Sequence, residues 1–198
     1  MKRLKEGDAI RIIIFLLAGC ILAALFVFSV HAGEPGRTSC GVFNATYLIE
    51  KQTVRLFNGR AEVQAAPGSA IKITTAVFGK PAYGDLNRDG RKDAALFLFQ
   101  DPGGSGTFYY VAAAIAKNGL YQGTNAVLLG DRVVPRAIHI RNCVIVAEYD
   151  DRHPDQPMAA RPSIGKTMYL TLNEGYLKAI KILGAMRNST GRSCKKNS

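Results

Sequence analysis

A run of nine residues carries oxygen-rich side chains that could bind a cation. They fall at positions 1, 3, 5 and 9 of the segment DLNRDGRKD and are Asp85, Asn87, Asp89 and Asp93. In a tightly curled loop alternate side chains converge, and Gly90 at position 6 permits the positive φ that the curl needs. Carboxylate and amide oxygens suit a hard cation such as calcium, and the main-chain carbonyl of Arg91 supplies a neutral ligand.

The segment begins like an EF-hand loop but departs from that motif. Position 12, where an EF-hand has a bidentate glutamate, is Leu96 within an apolar run. Upstream, Pro81 and Gly84 would break the helix that enters an EF-hand loop. The segment instead resembles the D-x-N-x-D-G-x-x-D loops of FG-GAP and VCBS-type repeats, including those of integrin α-subunit propellers.

This resemblance covers residues 80–100 and implies a structural calcium ion in a β domain. It assigns side-chain ligands to Asp85, Asn87, Asp89 and Asp93 and a backbone ligand to Arg91. Residues 83–110 and 123–132 together resemble a set of exported bacterial proteins and lipoproteins, which implies an exported compartment but no particular activity.

An ion-free turn is the competing interpretation of the same nine residues. Asp, Asn and Gly favour turns through local hydrogen bonds alone, and Arg88, Arg91 and Lys92 could neutralise the carboxylates. Four correctly spaced ligands together with a glycine favour calcium. The basic flank and the missing glutamate predict a weak site, with a dissociation constant on the order of 10⁻⁴–10⁻³ M.

A second acid-rich segment, Asp150–Asp155, contains His153. Such groups perform general acid–base catalysis in hydrolases. Three prolines within residues 150–162 indicate a solvated loop. A cell-envelope hydrolase that uses this loop is therefore the alternative to a non-enzymatic module.

Short β-favouring runs alternate with turn signals along the rest of the chain. The apolar run 94–100 predicts a buried strand directly after the acidic segment. Three hairpins are expected, over residues 53–65, 137–149 and 166–183, the first turning at Asn58-Gly59. The predicted fold is all-β or β-rich α+β, with an antiparallel meander, sandwich or barrel-like sheet over residues 44–186.

The N-terminus predicts export. A basic segment precedes residues 12–30, which run for 19 residues without a charge, long enough for a hydrophobic helix that crosses a bilayer. The interpretations are a signal peptide cleaved after Ala32, a retained membrane anchor, or a lipoprotein signal modified at Cys20. All three place the domain in the periplasm, on the outer side of the membrane, or in the medium. Residues 33–43 are expected to form a linker, and residues 187–198 a disordered basic tail.

Three cysteines lie beyond residue 32. Because exported proteins fold in oxidising surroundings, a Cys40–Cys194 disulfide between the two polar termini is the favoured pairing. Cys143 lies in the apolar run NCVIV and is predicted to be a buried small hydrophobic residue.

The chain is basic, with a formal net charge of +11. Such a chain could meet an anionic envelope polymer or a protein partner, as well as the membrane through residues 12–30 if they are retained. No arginine-rich helix or aromatic stripe indicates specific nucleic-acid binding. The sequence thus predicts an exported, envelope-associated, non-enzymatic module with one structural calcium loop.

Overall fold

The computed structural model describes residues 41–181, which form an all-β domain of antiparallel sheets. Within this range the helical structure is one 3-10 turn, Val42–Asn44, and no helix there is long and apolar enough to cross a membrane. The strands are β1 (Thr46–Ile49), β2 (Gln52–Arg55), β3 (Arg60–Gln64), β4 (Lys72–Gly84), β5 (Asp93–Asp101), β6 (Phe108–Lys117), β7 (Leu120–Gly123), β8 (Val127–Asp131), β9 (Val134–Arg141), β10 (Val144–Asp151), β11 (Ile164–Asn173) and β12 (Tyr176–Ile180).

The larger sheet has six strands, with the order β3-β4-β5-β6-β7 and β8 paired to the first half of β6. Strand β5 lies in its middle, and its first six residues are buried. That burial on both faces explains why the sequence there is a continuous apolar run rather than an alternating one. The predicted strand 94–100 is confirmed.

The second sheet has four strands in the order β12-β11-β10-β9. Its inward side chains pack against one face of the larger sheet, where Ile138, Ile145 and Leu170 meet Phe97 and Val111 in one buried cluster. The alternating burial along β10 shows one side of this sheet facing the core.

The other face of the larger sheet is covered by the β1–β2 hairpin and the 3-10 turn. Tyr47, Ile49 and Leu56 are almost completely buried there against Leu96 and Leu98. The larger sheet therefore has an apolar layer on each face, and the acidic segment at the end of β4 lies beside both.

Two of the three predicted hairpins are confirmed, as β9–β10 and β11–β12. The first is wrong in its pairing: residues 57 and 60 form a bridge, but β2 pairs with β1 and β3 pairs with β4. Val54 and Leu56 pack on the face of the larger sheet. At the turn the chain therefore passes from this covering layer into the larger sheet itself, where β3 pairs with β4. Because the described residues contain no α-helix, the α+β alternative is wrong for this range.

The prediction for Cys143 is also wrong. Arg141 pairs with Val144, so Asn142 and Cys143 are the two central residues of the hairpin turn, with φ of 51° and 60°. A two-residue turn of this kind needs positive φ at both positions, and it leaves the thiol half-buried rather than in the core. Three further predictions concern residues outside the described range: the Cys40–Cys194 disulfide, the hydrophobic helix over residues 12–30 and the disordered tail 187–198.

Candidate metal centre

The acidic loop, residues 85–93, connects β4 to β5 at one end of the larger sheet. Gly84 and Asp93 form the last residue pair of those strands. A side chain at Gly84 would place its Cβ 2.7 Å from Ile140 Cγ2, so glycine is needed where β9 passes close by. Leu86, 4% exposed, packs into the cluster between the two sheets and holds the loop against the domain.

Side chains at the first, third and fifth positions curl the loop by accepting hydrogen bonds from its own amides. Asp85 accepts from the amides of Arg88 and Gly90. Asn87 Oδ1 accepts from the Asp89 amide at 3.0 Å, and Asp89 Oδ1 accepts from the Arg91 amide at 2.8 Å. Gly90 has a φ of +79°, which agrees with the sharp turn expected at this position. Asp85, Asn87 and Asp89, which are predicted calcium ligands, thus also determine the conformation of the loop backbone.

Asp93 is fully buried and joins three segments of the domain. Its Oδ2 accepts from the Leu86 amide and its Oδ1 from the Ala116 amide of β6, each at 2.9 Å. Burial raises the pKa of Asp93, and the negative charges of Asp89 and Asp85 raise it further. A nearby cation would offset the cost of this buried negative charge.

The Arg91 guanidinium contacts the acidic loop directly, through Asp89. Its Nη2 and Nε lie 2.7 and 3.1 Å from Asp89 Oδ2, which also accepts from Asn87 Nδ2 at 2.9 Å. The hydrogen bond from Arg91 lowers the pKa of Asp89 to about 2. Calcium would have to displace this guanidinium to use both oxygens of Asp89.

The five predicted ligands lie on one loop, and their chemistry fits a hard cation. Three of them are carboxylates, and Asn87 and the Arg91 carbonyl supply neutral oxygens. Between residues 41 and 181, however, no three His, Cys, Asp or Glu side chains are grouped so that they could hold a metal ion. The hydrogen bonds within the loop and the Arg91–Asp89 ion pair are also those that a turn shaped by its own Asx side chains would make, and the calcium site stays a prediction.

A cleft of about 340 Å³ lies beside the acidic loop, a feature that the sequence did not indicate. The acidic loop, the β6–β7 hairpin and the β11–β12 turn surround it. Its polar lining includes Asn87, Asp89, Arg91, Lys117, Gln122 and Thr124. On the neighbouring strand β7, the Tyr121 hydroxyl donates to the Lys92 carbonyl at 3.1 Å and fixes the end of the loop. These contacts join residues far apart in sequence, so no local pattern could reveal them.

The acidic residues of the Asp150–Asp155 segment are paired with basic side chains. Asp150 binds Arg136 from β9, and Asp151 binds Lys166 from β11 at 2.7 Å. His153 Nδ1 lies 3.1 Å from Asp155, with the two side chains 57% and 87% exposed. A general acid–base pair is expected in a cleft, and neither His153 nor Asp155 borders the 340 Å³ cleft.

Comparisons of this chain with protein-family models, with curated proteins and with solved structures found no match. The likeness to FG-GAP and VCBS-type loops therefore depends on the acidic loop alone.

Proposed function

We propose that this chain is an exported, envelope-associated, non-enzymatic module in which one calcium ion stiffens the β4–β5 connection. The observation that carries the proposal is the fully buried Asp93, whose hydrogen-bond donors are backbone amides and whose neighbours Asp85 and Asp89 are also acidic. A divalent cation would interact favourably with all three carboxylates and compensate two of their charges, whereas the Arg91 guanidinium forms its ion pair with Asp89.

Calcium would act by replacing the Asp89–Arg91 ion pair. The ion would take the side chains of Asp85, Asn87, Asp89 and Asp93 and the main-chain carbonyl of Arg91. Since Arg91 would bind calcium through its main-chain carbonyl, its side chain can move away from Asp89 without loss of a calcium ligand. The ion would tie the curled loop to the first residue of β5 and so hold the register of the strand at the centre of the larger sheet.

Export is supported by the sequence of residues 1–32. The uncharged run at residues 12–30 follows a basic segment, which is the arrangement that directs a chain across a membrane. The basic character of the chain suits an anionic envelope polymer or an acidic protein as a partner. Fusing residues 1–32 to a reporter enzyme that is active only outside the cytoplasm tests this part, and an inactive fusion would contradict it.

Thermal unfolding of the full chain tests the calcium proposal. With a dissociation constant of about 10⁻⁴–10⁻³ M, a calcium concentration of about 10 mM should stabilise the domain by about 1.4–2.7 kcal/mol, which raises its Tm by several degrees. Asp89→Asn should abolish that rise. Asp155→Asn, a change at an 87% exposed carboxylate outside the loop, should leave it intact.

Two results of that experiment would overturn the assignment. One is a Tm of the unmodified chain that is the same in calcium and in chelator. The other is a rise that persists in Asp89→Asn, since calcium would then act at another place on the protein.

A further inference from the structure

Two phenylalanines are exposed at one corner of the domain, close to where the described chain begins. Phe57 is 68% exposed and Phe43 is 40% exposed. They flank one tight turn, because the Gly59 amide donates to the Phe43 carbonyl at 2.7 Å and the Phe57 amide donates to the Arg60 carbonyl at 2.8 Å. Aromatic side chains of this size are usually buried, so two beside one turn mark a candidate interaction surface.

The turn holds this corner in a fixed conformation. Asn58 and Gly59 have φ of 49° and 82°, and the Asn58 amide donates to Asn44 Oδ1 at 2.9 Å. A Cβ at Gly59 would lie 3.2 Å from Phe43 Cδ1, so the ring packs closely over the turn. Phe43 and Phe57 therefore lie beside a short turn whose conformation is held by hydrogen bonds, and they stay exposed.

Basic side chains lie close to the Phe57 ring and to the turn that follows it. The Arg55 guanidinium carbon lies 5.5 Å from the centre of the Phe57 ring, a cation–π contact. Arg60 shares Glu62 with Lys72, at 2.8 and 3.5 Å, so this group of three also carries a net positive charge. We call Phe43, Arg55, Phe57 and Arg60 the aromatic corner. Exposed aromatic rings beside cations are typical of surfaces that enter the headgroup region of an anionic bilayer.

If residues 12–30 are retained in the membrane, the short chain that follows them keeps the domain within reach of the bilayer. Ten residues, 31–40, separate the apolar run from Gly41, and fully extended they reach about 33–36 Å at most. Phe43 follows this segment in sequence after only Gly41 and Val42, so the corner is tethered by the shortest stretch of chain. Docking rests on the membrane-anchored form of the proposed function and is independent of calcium.

We propose that the aromatic corner docks on the surface of an anionic lipid bilayer. Phe43 and Phe57 enter the boundary between headgroups and acyl chains, and Arg55 and Arg60 contact lipid phosphates. Docking would fix the orientation of the exported domain on the membrane.

The chain contains no tryptophan, so a single substitution supplies a specific fluorescent reporter. Phe57→Trp in the full chain would be reconstituted into vesicles of phosphatidylglycerol and brominated phosphatidylcholine. The matched control is Met158→Trp, at a residue 47% exposed in the loop between β10 and β11. We expect blue-shifted emission and strong quenching by the brominated chains for Phe57→Trp, and emission typical of water for Met158→Trp.

A charge reversal separates this proposal from the calcium proposal. Adding Arg55→Glu and Arg60→Glu to Phe57→Trp should weaken the lipid quenching at least about twofold. The same variant should keep the calcium-dependent rise in Tm, which shows that the domain is folded. Loss of that rise in the unmodified chain would contradict the calcium site alone.

Three outcomes would overturn the docking proposal. The first is equal bromolipid quenching of Phe57→Trp and Met158→Trp. The second is quenching that is the same in vesicles of neutral phosphatidylcholine alone and is unaffected by the charge reversal. The third is a blue shift that grows with the protein-to-lipid ratio, which would identify a second copy of the chain as the occupant.

Discussion

The acidic loop and the Asp150–Asp155 segment have similar acidic compositions, but their carboxylates contact different groups. In the acidic loop, Asp85 and Asp93 accept hydrogen bonds from backbone amides. In the other segment, Asp150 binds the side chain of Arg136, and Asp151 binds the side chain of Lys166 and also accepts from the adjacent Arg152 amide at 2.7 Å. Carboxylates that bind amides determine the path of the backbone, whereas those that bind mobile cationic side chains can be replaced at little cost.

The same difference appears in the titration of two carboxylates. The pKa of Asp93 is raised, mainly by burial, whereas the pKa of Asp151 is lowered, mainly by its hydrogen bond with Lys166. A group whose charged form is disfavoured by burial gains most from an added cation. Asp151 already has its cation, so the comparison favours the acidic loop as the place where a metal ion would bind.

The largest expected effect comes from Asp93→Ala. This change leaves the buried amides of Leu86 and Ala116 without their acceptor, so the free energy of unfolding should fall by about 2–4 kcal/mol. Urea unfolding in chelator measures it without any contribution from calcium. Asp150→Ala is the matched control from the other segment, because its partner is the exposed Arg136 side chain, and it should cost less than about 1 kcal/mol. Equal losses would remove the distinction between the two regions.

The second-largest effect is expected from Gly90→Ala, which tests the backbone conformation of the acidic loop. Gly90 has a φ of +79°, and an added Cβ would meet no atom within 4 Å, so Gly90→Ala acts through conformation alone. We expect a loss of about 1–2 kcal/mol in the free energy of unfolding. Gly104→Ala is the control, since its Cβ is equally unobstructed and its φ is not in the left-handed region. A cost at Gly104 as large as that at Gly90 would refute the explanation.

A smaller effect concerns the competition between Arg91 and calcium. Arg91→Ala removes the ion pair with Asp89 but keeps the backbone carbonyl, so calcium affinity should rise about two- to fivefold. Lys92→Ala removes a neighbouring positive charge for which the described residues provide no ion pair. Calorimetric titration of both variants separates direct competition from general charge, because only the first should produce the full gain. Weaker calcium binding by Arg91→Ala would contradict the proposed exchange.

The smallest effect belongs to the Asp151–Lys166 pair. Both side chains are partly exposed, so Lys166→Met should lower the free energy of unfolding by only about 0.2–1 kcal/mol at neutral pH. Because folding lowers the pKa of Asp151, the stabilisation is present above its unfolded pKa of 3.8 and is lost as the pH falls through the folded value. Unfolding curves of the two proteins should therefore converge in acid, and a difference that widens there would contradict the pairing.

Much of the fold could be predicted because its signals are local. The apolar run that became β5 and the turn of the β11–β12 hairpin are each encoded within about ten residues. The pairing of β2 was not predictable, since it depends on Val54 and Leu56 covering strands far away in sequence. Cys143 was misplaced for a related reason: its apolar neighbours indicate burial, but the register of β9 and β10 places it in the turn.

The candidate metal site likewise has features that the local sequence predicted and features that depend on residues far away in sequence. The spacing of Asp85, Asn87, Asp89 and Gly90 led to the expectation of a curled loop, and the loop is curled with a positive φ at Gly90. The role of Asp93 as the acceptor for Ala116 depends on the pairing of β5 with β6, which the local sequence does not contain.

The most direct test of calcium binding in the acidic loop is a titration of the ¹⁵N-labelled full chain with calcium, followed through its backbone amide resonances. We predict that the amides of Gly90, Arg91 and Leu86 shift together and saturate at about millimolar calcium, while those of residues 152–163 do not move. If the loop amides stay unchanged, or if residues 152–163 shift to the same extent, calcium does not bind specifically in the acidic loop.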